Sequence, residues 1–380
     1  MKISLLCHDL SCNAFGRAYL LADILRRRHE VTVLGPAFGG TIWPPFSRCP
    51  FPVKLYPGSR WPGFLATARQ IGRDATGDLL YAVKALPSSF GIALAARGAR
   101  PLLLDVDDWE LGFVEAEEEA RGIPAPLRWL KGWLPGLSPN GKALVRWLEG
   151  RAPEASALTT VSEFLSAKYG GRAHLVPHAR DTSWLSPERF PAGPARERLG
   201  LSGCKVVMYL GSARGYKGVE ELAEAVARLP GAVLALVGTP VEDPLVGGLR
   251  SRHGDAVRAF GPVPFEQLPE WLAAADVVAL PQRRDPRTLG QMPAKLTDAL
   301  ALGKPVVVSD LAGMRELVGS AGRVVAPGDT AGLERALAEI LGDPEAASRM
   351  GQEARRIAVE RLSYDAAERA LEAAIAQATR

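Results

Sequence analysis

The strongest constraint on this chain is a helix that runs directly into a continuously apolar strand. Met292-Pro293-Ala294-Lys295-Leu296-Thr297-Asp298 reads as a loop entering a helix, with Pro293 at the first helical position, where no N–H is needed. Leu296, Ala299 and Leu300 make one apolar face at the i, i+3, i+4 spacing, and Lys295 and Asp298 lie off it. Pro305-Val306-Val307-Val308-Ser309 follows without a polar break before its last residue. Such a run suits a strand buried on both faces, which calls for a parallel sheet with helices covering each side. The helix start also has free N–H groups and the positive end of the dipole, so it can receive an anion.

The same alternation runs through the whole chain. In the first half, strands are expected at Ile3–Cys7, Glu30–Leu34, Leu79–Val83, Pro101–Asp105, Thr159–Val161 and His174–Pro177. Gly16 opens a helix over Arg17–Arg27 with Leu20, Leu21, Ile24 and Leu25 on one face. This β-loop-α-β start lacks GxGxxG, which leaves a dinucleotide site without support. Residues 39–65 are rich in proline, glycine and aromatics and read as a loop, not a sheet. Pro187 to Gly203 reads as an interdomain linker. Strands resume at Val206–Leu210, Val233–Val237, Val257–Phe260, Val277–Leu280, Val306–Ser309 and Arg323–Ala326, and the tail from Ala331 is helical. A chain of 380 residues accommodates two such α/β domains, each with its own core.

Charge and cysteine usage narrow the partners. The net charge of +4 is small, but residues 1–180 carry 22 Lys or Arg against 16 Asp or Glu. That excess suits an anionic partner such as a lipid head group or a diphosphate, and is too weak to imply nucleic acid. Cys7, Cys12, Cys49 and Cys204 have neither metal spacing nor a disulfide pattern, so reduced thiols in the cytoplasm are expected. No apolar run reaches the ~18 residues of a membrane span.

Three stretches can carry chemistry. Gly211-Ser212-Ala213-Arg214-Gly215-Tyr216-Lys217-Gly218 joins a strand to a helix, with glycines for close backbone approach and Arg214 and Lys217 as cationic donors. Leu104-Asp105-Val106-Asp107-Asp108-Trp109-Glu110 puts carboxylates at a strand end. There they could bind a metal, orient a hydroxyl, act as a base, or in the case of Asp105 cap a helix. Between residues 121 and 151 there are six basic residues and one acidic residue, Glu149. Arg128, Trp129, Lys131 and Trp133, with Lys142, Arg146 and Trp147, form helical basic-aromatic stripes that suit either a core or an anionic membrane surface.

Taken together, Pro293-x-Lys295-x-x-Asp298, Gly303-Lys304-Pro305-Val306-Val307, Glu316-Leu317-Val318 and Pro327-Gly328-Asp329 resemble the donor-sugar signature of glycosyltransferase family 4. The resemblance implies an α/β fold of the GT-B type, two Rossmann-like doubly wound domains facing a cleft. It implies an acceptor domain over 1–186, a donor domain over 187–363, and a last helix, about 364–380, that packs back on the first. The implied activity is a retaining, metal-independent hexosyl transfer from a nucleotide-diphosphate sugar to an acceptor hydroxyl. A cytoplasmic enzyme of cell-envelope polysaccharide or glycolipid synthesis is expected, with a sugar or lipid-linked acceptor, no cofactor, and peripheral contact with the inner membrane face.

On this resemblance Arg214 and Lys217 stabilise the leaving diphosphate, and Gly211 lets it approach. Lys217-Gly218 matches the family, whereas Ser212 stands where the usual arginine would follow Gly211. Asp298 holds the ribose and Lys295 reaches the donor. Gly290 stands where the family has a first glutamate, leaving Asp285 or the backbone of Leu289, Gly290, Gln291 and Met292 to meet the sugar. Gly261 and Val263 would hold the base. Asp107, where the family often has histidine, and Asp108 would orient the acceptor, with His8, Gly16 and His178 nearby. Two alternatives stay open: a catalytically silent binding subunit, and a non-hydrolysing sugar-nucleotide epimerase.

Overall fold

The computed structural model describes residues 1–113 and 139–380. The chain divides into two compact units, Met1–His178 with Ala367–Arg380, and Ala179–Ala366. Each is a parallel sheet covered by helices.

In the first unit the strands are β1 (Lys2–Leu6), β2 (Glu30–Ala37), β3 (Val53–Pro57), β4 (Leu79–Val83), β5 (Leu102–Val106), β6 (Ala157–Thr160) and β7 (His174–Leu175). Among the described residues they form a seven-stranded sheet in the order β3-β2-β1-β4-β5-β6-β7. In the second unit β8 (Lys205–Leu210), β9 (Ala232–Val237), β10 (Val257–Ala259), β11 (Val277–Leu280), β12 (Val306–Ser309) and β13 (Gly322–Val325) take the order β10-β9-β8-β11-β12-β13. All pairings are parallel. Strand order reverses beside β1 and β4 in the first sheet and beside β8 and β11 in the second. In such sheets the crevice for a ligand opens at those strands' C-terminal ends.

The central strands form because their residues have nowhere polar to point. Leu79 to Val83 and Val306 to Ser309 are buried throughout. Each fully buried valine or leucine contributes roughly 1.5–3 kcal/mol. Carboxylate caps start several helices: Asp243 accepts from Leu245 N, Asp329 from Gly332 N and Asp343 from Ala346 N.

Three local expectations are corrected. Residues 39–65 include β3, which pairs with β2 from Val33↔Val53 to Ala37↔Pro57. It is the sheet's edge strand among the described residues, where proline at a strand end costs no ladder bond on the open side. The stretch Pro187 to Gly203 contains a helix, Ala192–Leu199, closed by Gly200 in the left-handed region at φ 67°. Pro293 is the N-cap of helix Ala294–Ala301 and not its first residue. Among the described residues no helix is long and apolar enough to cross a membrane.

Candidate functional site

The second unit's reversal point is a tight loop crossed by cations. Gly211 leaves β8 at φ 128° and donates to Val237 O at 2.7 Å. Thr239 Oγ1 donates to Gly211 O at 3.0 Å and accepts from Ala213 N at 2.7 Å. Gly218, at φ 70°, lies so close to the next strand that a Cβ there would sit 1.7 Å from Pro281 O. A side chain at that position is excluded, so the loop returns to the sheet before helix Val219–Ala227 begins. On the other side, a Cβ at Gly211 would lie 3.3 Å from Lys295 Cε and 3.6 Å from its Nζ. The lysine from the start of helix Ala294–Ala301 therefore crosses the glycine that ends β8.

Lys217 extends from the same loop to donate to Gln291 Oε1. Gln282 Nε2 donates to that oxygen too, at 3.0 Å, which turns the Gln291 carbonyl toward the ammonium. Tyr216 supports the loop: Arg283 N donates to Tyr216 O at 3.0 Å, and the Arg287 guanidinium lies 3.9 Å over its ring. Arg283 is itself held by Glu221 at 2.5 Å and Glu220 at 3.0 Å. Arg214 is half exposed and only 3.8 Å from Asp243.

The two acids behave differently. Asp285 caps the short helix Pro286–Leu289, and Arg287 Nε and Nη2 engage both its oxygens at 2.7 Å. That hydrogen bonding holds its carboxyl below the usual range. Asp298 is reached by Arg180 Nε on Oδ1 at 2.5 Å. Burial works against the Arg180 charge, and Asp298 outweighs it, raising the guanidinium pKa. Arg180 is anchored by its backbone, donating to Leu362 O at 2.9 Å and accepting from Tyr364 N at 3.1 Å. Leu289, Gly290, Gln291 and Met292 lead from the short helix to Pro293, and Gly290 is its C-cap at φ −98°. That backbone suits any residue, so the missing glutamate reflects side-chain choice and not conformation. Gly261 follows β10 at φ 69° and accepts from Gly238 N at 2.7 Å, with Val263 half-buried beyond it.

In the first unit the corresponding place is filled by ion pairs. Arg17, on the inner face of helix Phe15–Leu25, forks onto Asp105 at 2.9 and 2.7 Å and donates to Val176 O and Pro177 O at 2.8 and 3.0 Å. Thr159 Oγ1 donates to Asp105 Oδ1 at 2.6 Å. Both carboxylate oxygens of Asp105 are thus engaged inside the fold. Burial opposes the Arg17 charge, and Asp105 more than restores it.

Beside this pair, Lys84 meets three carboxylates: Asp107 at 3.0 Å, Asp108 at 2.9 Å and Glu110 at 2.5 Å. The contact with Asp107 is ionic and not a directed hydrogen bond, since Asp107 Oδ1 has no hydrogen-bond partner. Lys84 is 6% exposed and has φ 70°, a left-handed backbone that costs a non-glycine residue ~1–3 kcal/mol. Burial pushes Asp108 up to about 6, reinforced by Asp107 and Glu110. Asp107 also suffers burial, but Lys84, Arg17 and His178 pull it down to about 2. His8, after β1, is lowered to about 4 by burial and by Lys84. Gly16 lies under an aromatic cover, with a Cβ there 3.4 Å from the Phe46 ring and 3.5 Å from Trp43.

Of the basic-aromatic stripes, Arg128, Trp129, Lys131 and Trp133 lie outside the described residues. Helix Lys142–Gly150 buries Val145 and Leu148 and exposes Leu144, Arg146 and Trp147. The Arg151 guanidinium lies 4.5 Å over the Trp147 ring.

Sequence reasoning missed Arg17, Lys84, Arg180 and Gln282. The available signals were a lysine directly after an all-apolar strand and an arginine on the apolar face of a helix.

Part of the sequence and the fold are shared with known proteins. Residues 204–343 match the family model described as glycosyl transferases group 1. The chain is 29% identical over 238 residues to a glycogen synthase of Mycobacterium tuberculosis, covering 59% of this chain and 54% of that protein. It is 30% identical over 230 residues to a GDP-mannose-dependent alpha-(1-6)-phosphatidylinositol monomannoside mannosyltransferase of Mycolicibacterium smegmatis, covering 56% and 59%. The chain thus spans a little over half the length of these relatives. The structure of a sucrose-phosphate synthase from Thermosynechococcus elongatus superposes with a TM-score of 0.76 at 19% identity, covering 99% of this chain and 98% of that one. The second unit carries a group 1 glycosyl transferase domain, and the chain has the GT-B fold of the glycosyltransferase family 4 that its motifs resemble.

Proposed function

We propose that this chain transfers a hexosyl group from a nucleoside diphosphate sugar to an acceptor hydroxyl, with retention at the anomeric carbon and without a metal. The observation that carries this reading is that Lys295 lies across Gly211 at the second sheet's reversal point, with Lys217 on the loop that Gly211 begins. In the reaction the bond from the anomeric carbon to the phosphate oxygen breaks, and the diphosphate leaves with the electron pair. Fixed cations stabilise that developing charge. Lys217, with Arg214, supplies them from the loop, and Lys295 from the helix start. The acceptor oxygen bonds to the anomeric carbon and passes its proton to the departing diphosphate oxygen.

Asp298, oriented by Arg180, receives the ribose hydroxyls, and Gly261 and Val263 flank the base. Leu289, Gly290, Gln291 and Met292 face the sugar, with the Gln291 amide one position beyond the family's carboxylate. In the first unit Asp107 and Asp108 orient the acceptor hydroxyl, with His8 and His178 beside them. A sugar or lipid-linked acceptor of cell-envelope polysaccharide or glycolipid synthesis fits the mannosyltransferase relative. The exposed Leu144, Arg146 and Trp147 suit peripheral contact with an anionic membrane face in the cytoplasm.

Gly290 favours one second reading, a silent subunit that binds the donor and transfers nothing. Calorimetric titration with uridine, guanosine and adenosine diphosphates in excess chelator tests the donor site. Saturable binding of one of them supports it, and binding of none rejects it. Transfer, or hydrolysis of the matching nucleotide sugar, separates the enzyme from the silent subunit.

A further inference from the structure

We propose that Lys84 is the positioning residue of the acceptor end, its ammonium clamping Asp107, Asp108 and Glu110 so that the two aspartates present carboxylate oxygens to a hydroxyl-bearing acceptor. This rests on the functional reading above. Three observations carry it. Lys84 follows β4, and its backbone N donates to Asp105 O at 2.8 Å, which places it beside the carboxylates that follow β5. Its backbone is left-handed at φ 70°, a conformation that glycine takes freely. A lysine kept there against that strain, with its side chain buried, points to a need for the ammonium itself. Finally, among the described residues one cation faces three carboxylates, and the neighbouring Arg17 is already matched by Asp105. Negative charge therefore remains on the cluster. Carboxylates with that excess accept hydrogen bonds, so the fitting ligand offers hydroxyl donors, as a sugar or other polyol does.

Lys84 contacts Asp107 through Oδ1, Asp108 through Oδ2 and Glu110 through Oε1. The second oxygen of each aspartate is outside these contacts and is the one assigned to the acceptor. Other charged or titratable groups act on the cluster. His8, Arg17 and His178 act on Lys84 or Asp107, Asp9 on His8, and Tyr169 lies in the field of Glu149, Glu110 and Lys84. Substitution of Lys84 alone leaves all of these in place.

The test compares Lys84→Met, which removes the charge, with Lys84→Arg, which keeps it, and Lys84→Gly, which removes it while relieving the backbone. Circular dichroism selects variants that remain folded. Lys84→Met and Lys84→Gly should lose about 100-fold in kcat/KM for the acceptor, the scale of a positioned acid–base group. Nucleoside diphosphate affinity should stay within twofold, and Lys84→Arg should recover at least a tenth of the wild-type value. Transfer by Lys84→Gly at half the wild-type rate or more would overturn the proposal, as would an equal loss of diphosphate affinity. A readout without substrate separates failure of this assignment from failure of the functional reading. Side-chain carboxyl resonances followed by NMR should show Asp107 titrating more than one pH unit higher in Lys84→Met than in wild type. An unmoved Asp107 overturns the clamp even if transfer is confirmed, and a moved one supports it even if the wild-type chain transfers nothing.

Discussion

The ends of β1 and β4 in the first sheet and of β8 and β11 in the second occupy the same place in two sheets of like strand order, yet they are built differently. At the first, Arg17 and Lys84 are buried and matched by Asp105, Asp107, Asp108 and Glu110. At the second, Gly211 and Gly218 keep side chains out of the loop, and Lys217 contacts the neutral amide of Gln291. Lys84 lies buried among carboxylates, whereas the hydrogen bond that joins Lys217 to Gln291 is to an uncharged amide. On the proposed function, the second reversal point would receive the diphosphate and the first would present carboxylates to the acceptor. Substitutions in the first should act mainly on stability and on the acceptor. Substitutions in the second should act on donor binding.

The largest effect is expected at Arg17. Removing one partner of a buried, hydrogen-bonded pair costs ~3–5 kcal/mol because the other charge is left uncompensated. Arg17→Ala should lower the unfolding free energy obtained from a urea titration by that amount. A loss below ~1 kcal/mol would show that Asp105 finds other partners and would blur the contrast between the two ends.

Next comes Lys217→Ala, which should weaken nucleoside diphosphate binding by ~1.5–3 kcal/mol, the scale of a charge-assisted hydrogen bond, with the melting temperature nearly unchanged. Calorimetry and thermal denaturation on the same sample check both halves. An unchanged affinity would remove Lys217 from the donor site.

A smaller effect is expected from pH. Asp108 has its pKa raised in the folded chain to about 6, above the ordinary 3.8, so the fold holds its proton more tightly. Its contribution is fully present below pH 3.8 and is lost as pH rises through about 6. Asp107 has the opposite sign: lowered to about 2, it stabilises above pH 3.8 and loses that contribution as pH falls through about 2. Between about pH 4 and pH 6, then, Asp108 should make the melting temperature decline, and Asp108→Asn should flatten that slope. An identical slope in the variant would place the titration elsewhere.

The smallest expected effect concerns helix Lys142–Gly150. Each basic residue near an anionic bilayer is worth ~1 kcal/mol and is screened over ~10 Å at 0.1 M salt. Trp147→Ser should reduce co-sedimentation with anionic vesicles at low salt, and added salt should reduce it in wild type. Equal sedimentation of the two proteins would remove this face from any membrane contact.

The central strands were legible because a run such as Val306-Val307-Val308 has one way to hide its side chains in an α/β chain. β3 escaped notice because Pro52 and Pro57 bracket it, and an edge strand tolerates prolines that a central one does not. The helix Ala192–Leu199 was hidden because Ala195 is its one buried residue, too few to show a period. In the sites, residues close in sequence were found and those joined by the fold were not. The carboxylates after β5 stood out, but the register Val83↔Asp105 is what brings Lys84 beside them. Arg180 and Asp298 are 118 positions apart, and no local pattern links them.

The most direct test of glycosyl transfer is an assay in excess chelator with a matched nucleotide sugar and a hydroxyl acceptor, with the product's anomeric configuration read by NMR. The account predicts product of the donor's own configuration at most of the rate seen without chelator. Inverted product, or transfer that stops in chelator and returns with manganese, would contradict it.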